Sequence, residues 1–355
     1  STWIFGVLIA LSTVHPAVWL PVVGALYYMT YREHSMEYLG IANGASVGFL
    51  LLLGSWLHVS WNENLTIASW AALVGFGGMY WMFARRNARA ATVALGSATL
   101  PAILFGLIVW GNDAQPWLTV VSWLALVIAL HIFVYAQRSS RPLLLLAVAN
   151  ASIVALGLLT ARWAGLNFFT MAPVVALLSL LAFYYAALVI RRIEVYKDWS
   201  SVYFWSAIGW SVTLSLAALV DTTLLAETLV AGVTLILASG VLFYEGSRRE
   251  PTRLWYFDAA ALIALQGVTA IIVRLIPDVH SLVISHLWAL AAMGVAALYW
   301  KYRTSTASET TAHIVVALLI LSLPTFSTAL FGDIRGPGPQ VLAQILFLAE
   351  HAGLV

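Results

Sequence analysis

The residues with chemistry to offer are few: eight histidines and fifteen carboxylates in 355 residues, with no cysteine. Without cysteine there is no thiolate metal site, no disulfide and no cysteine nucleophile. His15 stands before Pro16 in a long apolar run. A proline there breaks or kinks a membrane helix, and a histidine beside unwound backbone could relay protons or bind a ligand. An interfacial turn explains the pair as well. His58, three residues before Trp61, also reads as an interfacial histidine at a helix end. His131 lies inside the apolar run Trp117 to Ala136. An ionisable group at that depth faces protein or water. The ordinary reading is a neutral imidazole bonded to a neighbouring helix; the functional reading is a ligand to haem, pigment or metal. It has no partner at i+4 and no carboxylate at ligand spacing.

His286 sits about one and a half turns into its segment, and Glu350 lies well inside the last one, next to His351. A carboxylate inside a span can carry protons. Adjacent helical residues point about 100° apart, so Glu350 and His351 do not share a face. Asp258 follows a basic turn, where it can pair with Arg253 or sit at a helix start. Glu227, after Asp221, suits a helix N-terminus, where the helix dipole favours negative charge. Gln266, Asn150 and Asn43 are candidates for interhelical hydrogen bonds of about 1 kcal/mol each. The clusters Gly75-Phe76-Gly77-Gly78 and Gly40-Ile41-Ala42-Asn43-Gly44 read as close helix contacts; no strand precedes them, which excludes a nucleotide loop. Lys197 and Lys301 stand at helix ends, not deep in a span, which argues against a retinal Schiff base.

The elements that must position these groups are membrane helices. The chain is 62% hydrophobic and 9% charged, against about 25% charged in ordinary soluble domains. A net charge of +2 implies no nucleic-acid partner. Apolar segments fall at about 38–60, 66–84, 91–110, 117–136, 142–161, 168–190, 201–220, 224–244, 255–276, 280–300, 311–331 and 340–355, each long enough to span or nearly span a bilayer. Residues 3–31 form either one kinked helix or the end of one helix (Trp3 to Ala10), a turn at His15-Pro16 and a second helix. The predicted fold is all-α, with about 13 antiparallel spans joined by short turns in a single transmembrane domain over residues 1–355.

Charge orients the array. Alternate turns hold Arg32; Arg85, Arg86 and Arg89; Arg138 and Arg141; Arg191, Arg192 and Lys197; Arg248, Arg249 and Arg253; and Lys301 and Arg303. That is 14 of the 17 basic residues. The other turns hold Glu63, Asp113, Asp221, Asp278 and Asp333. The positive-inside rule puts the basic turns in the cytoplasm. Taking one arginine per basic turn (Arg32, Arg85, Arg138, Arg192, Arg248, Arg303) gives gaps of 53, 53, 54, 56 and 55. Any regular hairpin array gives about that spacing. Ser69-Trp70-Ala71-Ala72-Leu73-Val74 and Ser122-Trp123-Leu124-Ala125-Leu126-Val127 add a local likeness at offset 53. Tandem two-helix repeats are expected at 15–61, 66–111, 116–164, 168–221, 224–277 and 280–333, with a truncated unit at 338–355. On this reading the sequence is a window onto a longer chain.

The stretch Gln344-Ile345-Leu346-Phe347-Leu348-Ala349-Glu350-His351 after Phe331-Gly332-Asp333, with the aromatic-then-basic helix ends, resembles bacterial multipass membrane proteins of no assigned activity. The resemblance implies a bacterial cytoplasmic membrane and brings no cofactor or catalytic residue with it. Three functions are compatible with the residues. The first is a non-enzymatic protein that transports or shelters a small or lipidic molecule, or scaffolds the membrane, with lipid as its partner and no cofactor. The second is an embedded enzyme on lipid-linked substrates, which requires Glu63, Asp113, Asp221 and His15 or His58 to converge. The third is a haem or pigment carrier through His131 and His286.

Overall fold

The computed structural model describes residues 16–33, 35–110, 115–138, 142–220, 224–248, 255–275 and 294. His15, His286, Arg303, Glu350 and His351, the segment Trp3 to Ala10 and the expected units 280–333 and 338–355 lie outside these. The elements are helical: α1 (Pro16–Glu33), α2 (Met36–Trp56), α3 (Trp61–Phe83), α4 (Ala88–Val109), α5 (Pro116–Ala136), α6 (Leu143–Trp163), α7 (Phe168–Ile190), α8 (Trp199–Leu219), α9 (Leu225–Ser247) and α10 (Trp255–Leu275). A 3-10 turn, Glu194–Tyr196, precedes α8. Among the described residues, nine helices, α2 to α10, are long and apolar enough to cross a membrane. Large apolar side chains such as Val74, Trp81 and Leu144 are exposed along them. In water such surfaces would associate; lipid is their solvent. The protein is an integral, multi-pass membrane protein.

Local chemistry explains where the helices begin and stop. The Ser60 side chain caps α3 in a reciprocal box with Glu63. Asn87 Oδ1 accepts from the Ala90 N–H at 3.1 Å to cap α4. Pro116 opens α5, where its missing N–H costs nothing. Two helices end alike. After α2, His58 takes φ +58°, its N–H bonds Ser55 O and the Val59 N–H bonds Gly54 O. After α6, Gly165 takes φ +75°, its N–H bonds Arg162 O and the Leu166 N–H bonds Ala161 O. Both are left-handed stops that satisfy the last carbonyls. Glycine fills that position without strain; histidine does so at a cost.

The chain divides into two units, Ser1–Asn167 with Glu194–Val202, and Phe168–Ile193 with Tyr203–Val355. In the first, α1 packs on α2, α2 on α3 and α4, α3 on α4 and α5, and α5 on α4 and α6. Its core joins Val47 and Leu51 of α2, Leu65, Ala68 and Phe76 of α3, Ala98 and Phe105 of α4, and Leu118 of α5. A polar node ties three helices: the Tyr27 hydroxyl donates to Asn43 Oδ1 at 2.9 Å, and Asn43 Nδ2 donates to Ser97 Oγ at 2.9 Å. Asn43 thus makes the expected interhelical bonds.

In the second unit, α9 packs on α10 and α7 on α9. Phe204 stacks on Tyr256, and Trp205 on Trp255 at 5.5 Å between ring centres. The Gly75 cluster departs from expectation. No described atom lies within 4 Å of where a Cβ would stand at Gly75, Gly77 or Gly78. Close approach occurs instead at Gly54, over Asn64, at Gly106, over Leu126, and between Gly232 and Gly267.

Candidate functional site

Among the described residues, an open groove of about 680 Å³ lies between α3 and α5. Such a volume suits a drug-sized or lipidic ligand. From α3 it is lined by Glu63, Thr66, Ile67, Trp70, Ala71 and Val74, from α5 by Trp117, Leu118 and Val121, and by Val59 of the preceding turn. The α3 positions advance by threes and fours, so they form one helical face. From Glu63 to Val74 that face runs about 16 Å at 1.5 Å per residue, roughly half of a hydrocarbon core of about 30 Å.

Two polar contacts hold the two walls together. Thr66 Oγ1 and Ser122 Oγ are 2.6 Å apart; with the Thr66 hydrogen on Asn62 O at 2.8 Å, Ser122 is the donor. Trp70 Nε1 donates to Val121 O at 3.3 Å. On the flank of α5, Trp123 Nε1 donates to Ser152 O of α6 at 2.9 Å, and its ring meets Trp110 edge-on at 5.2 Å. Ser69 bonds only its own helix, at Leu65 O. The two Ser-Trp motifs, alike in sequence, therefore make unlike contacts.

Glu63 is the single ionisable residue in the lining. The Ser60 N–H and hydroxyl both donate to its Oε2, at 3.2 and 2.8 Å, and the Glu63 N–H donates back to Ser60 Oγ at 3.4 Å. These bonds fix the carboxylate at the start of α3. Among the described residues no donor reaches Oε1. Sequence reading placed Glu63 in a turn, took Trp70 and Ala71 as part of a repeat and Trp117 as a span end, and did not join them, or Thr66, into a site. The spacing Ser60-x-x-Glu63 before an apolar run was the available signal.

The other anticipated residues are scattered. His58 is exposed and forms the left-handed stop after α2. His131 is half-buried in α5, and its Nδ1 bonds Val127 O at 2.8 Å. Its partner is thus its own helix, not a neighbouring one as expected. With the proton on Nδ1, Nε2 is left as an acceptor, the form a metal or haem would take. No group of three His, Asp or Glu with metal-binding geometry occurs among the described residues. Asp258 is half-buried in the first turn of α10, and Glu227 is buried in the first turn of α9, as a favourable dipole contact requires. Gln266 is exposed on α10 and Asn150 is buried in α6. Arg32, Arg85, Arg86, Arg138, Arg192 and Arg248 are all exposed at helix ends. Of the groups required for an embedded enzyme, Glu63 and His58 are described.

Arg191 behaves differently from these six arginines. Its Nη1 and Nη2 donate to Oε1 and Oε2 of Glu245 at 3.1 and 3.0 Å, joining the end of α7 to the end of α9. Tyr184 donates to the same Oε1 at 3.4 Å. The Glu245 side chain is 4% exposed. This is a clamp between helices. Compared with family models, with curated proteins and with solved structures, the chain gives no match.

Proposed function

We propose that the protein is a non-enzymatic membrane component that shelters one lipid chain in the α3–α5 groove. The observation that carries this reading is the groove itself: a largely apolar cleft about half a hydrocarbon core long, whose walls are bonded together and whose single carboxylate stands at one end. Nothing in its lining pairs a nucleophile with a base, so the groove is suited to hold a molecule rather than cleave it. Filling the groove tests the proposal. Ala71→Phe should cut the lipid retained by detergent-purified protein about tenfold, as seen by native mass spectrometry. That factor corresponds to about two displaced methylenes at about 0.8 kcal/mol each. Leu144→Phe, on an exposed stretch of α6, should leave retention unchanged. Equal retention in the two variants would remove the proposal.

We further infer that the spans are tandem hairpins, about 13 in all, with the basic turns in the cytoplasm of a bacterial membrane. Helix bounds support a repeat between alternate hairpins. A shift of 107 residues carries Met36–Trp56 onto Leu143–Trp163 and Trp61–Phe83 onto Phe168–Ile190. The same shift carries buried Asn43 onto buried Asn150, Phe76 onto Phe183, Trp56 onto Trp163, and the left-handed His58 onto the left-handed Gly165. Side-chain bonds also join residues one period apart: Asn43 with Ser97, and Arg191 with Glu245, each 54 residues distant. In such an array each hairpin covers the next.

A further inference from the structure

The end of the groove differs from its length. Glu63 and Trp117, each in the first turn of its helix, both line it, a carboxylate and an indole, while the walls beyond are apolar apart from Thr66. Trp117 is 45% exposed and Trp61, beside the same helix start, is 56% exposed. Indoles placed in this way sit at the headgroup level of a bilayer. Negative charge at the start of α3 is favoured by the helix dipole, and the Ser60 bonds orient the carboxylate while engaging one of its two oxygens. A carboxylate with an acceptor oxygen to spare, in a groove shared with an indole, is matched by a primary ammonium: the charge suits both groups and the N–H bonds fill Oε1. A quaternary ammonium has no hydrogen to give that oxygen, and an anionic headgroup meets like charge.

We propose that the Glu63 end of the groove binds the ammonium of an aminophospholipid such as phosphatidylethanolamine, with an acyl chain lying along Ile67, Ala71 and Val74. This rests on the reading of the groove as a lipid shelter and adds the headgroup to it. The geometry makes the recognition local. The ammonium meets Glu63 and Trp117, and the chain meets the rest of the α3 face, so the two parts can be altered separately.

The test is competition between palmitoyl-oleoyl-phosphatidylethanolamine and the matching phosphatidylglycerol, supplied in equal amounts to the full-length protein in detergent. The lipids retained are identified by native mass spectrometry. Wild type should retain the ethanolamine lipid about threefold to fivefold over the glycerol lipid, the discrimination expected of one half-exposed ion pair. Glu63→Gln should bring the ratio close to one. Glutamine still fills the reciprocal position of the capping box, so α3 keeps its start and the loss falls on the ethanolamine lipid alone. A wild-type ratio near one, or a preference that survives Glu63→Gln, overturns the headgroup assignment alone. Retention that Ala71→Phe does not reduce overturns the groove reading, whatever the ratio.

Discussion

Arg191→Ala is expected to lower unfolding stability by about 3 kcal/mol, measured by titrating micelle-solubilised protein with dodecyl sulfate and following tryptophan fluorescence. The reason is the geometry at the ends of α7 and α9. Glu245 is held by two parallel N–H bonds from one guanidinium, the strongest arrangement open to this pair. Removing the cation leaves a buried carboxylate with the Tyr184 hydroxyl at 3.4 Å. Breaking a buried pair costs about 3–5 kcal/mol. The lower figure applies because the Arg191 side chain keeps 37% exposure, so water meets part of the loss. Arg192→Ala, one residue along and exposed, should change stability by no more than about 0.5 kcal/mol. The double variant Arg191→Leu with Glu245→Leu should recover most of the loss, since an apolar pair of similar bulk is often neutral in place of a buried ion pair. Equal effects at Arg191 and Arg192 would show that the clamp does not form.

The second large effect is expected between α9 and α10. A methyl at Gly267 would stand 2.6 Å from the Gly232 carbonyl oxygen and 3.1 Å from Leu235 Cβ. A methyl at Gly232 would stand 2.6 Å from Ile271 Cγ1 and 3.0 Å from the Gly267 carbonyl oxygen. Each helix presents backbone to the other, and backbone cannot rotate aside as a side chain can. Small residues serve this purpose where apolar packing, not water, drives association. Gly267→Ala should therefore cost about 1–3 kcal/mol, the range for overpacking a tight contact, and Gly267→Val should cost more. Gly240→Ala, on the open face of α9 with nothing within 4 Å of the new methyl, should be neutral or stabilise by up to about 1 kcal/mol. Dodecyl sulfate unfolding of the three variants separates the cases. A Gly267→Ala protein as stable as Gly240→Ala would place the two helices farther apart than described.

Much of the architecture could be read from hydropathy because the bilayer leaves few alternatives to a helix of about twenty apolar residues. The segment 168–190 matches Phe168–Ile190, and 117–136 differs from Pro116–Ala136 by a single residue. The reading slipped around His58. The stretch Leu57-His58-Val59 is apolar and lacks glycine, so a helix expected to reach residue 60 stops at Trp56 with histidine in the left-handed stop. The polar run Trp61-Asn62-Glu63-Asn64 then looked like a turn, yet it opens α3, with Asn64 buried and donating to Leu51 O at 2.6 Å.

Helix pairing was harder to read, for a physical reason. Every face of a membrane helix is apolar, so periodicity does not reveal which one meets a neighbour. Gly232 and Gly267 look no different in sequence from Gly75 and Gly77, but the first two lie at a helix contact and the others do not. Thr66, Trp70 and Trp117 were not seen as parts of one site for the same reason: the groove is made by the spacing of α3 and α5, which no local pattern encodes. Arg191 was read as one more topological charge. Its partner Glu245 lies 54 residues away, a relation that carries meaning only once α7 and α9 are placed side by side.

The central claim is that the helices cross the bilayer in series, so that turns alternate between its two sides. The absence of native cysteine makes this directly measurable. Single cysteines would replace Arg86, Arg138, Lys197 and Arg248 in the basic turns, and Leu57, Gln115, Leu166 and Leu224 in the turns between them. Each variant is treated with a membrane-impermeant maleimide in sealed vesicles of known orientation. All four basic-turn cysteines should react from the cytoplasmic face and the other four from the opposite face. Basic-turn cysteines that divide between the two faces, or adjacent turns that react from the same face, would contradict the serial arrangement.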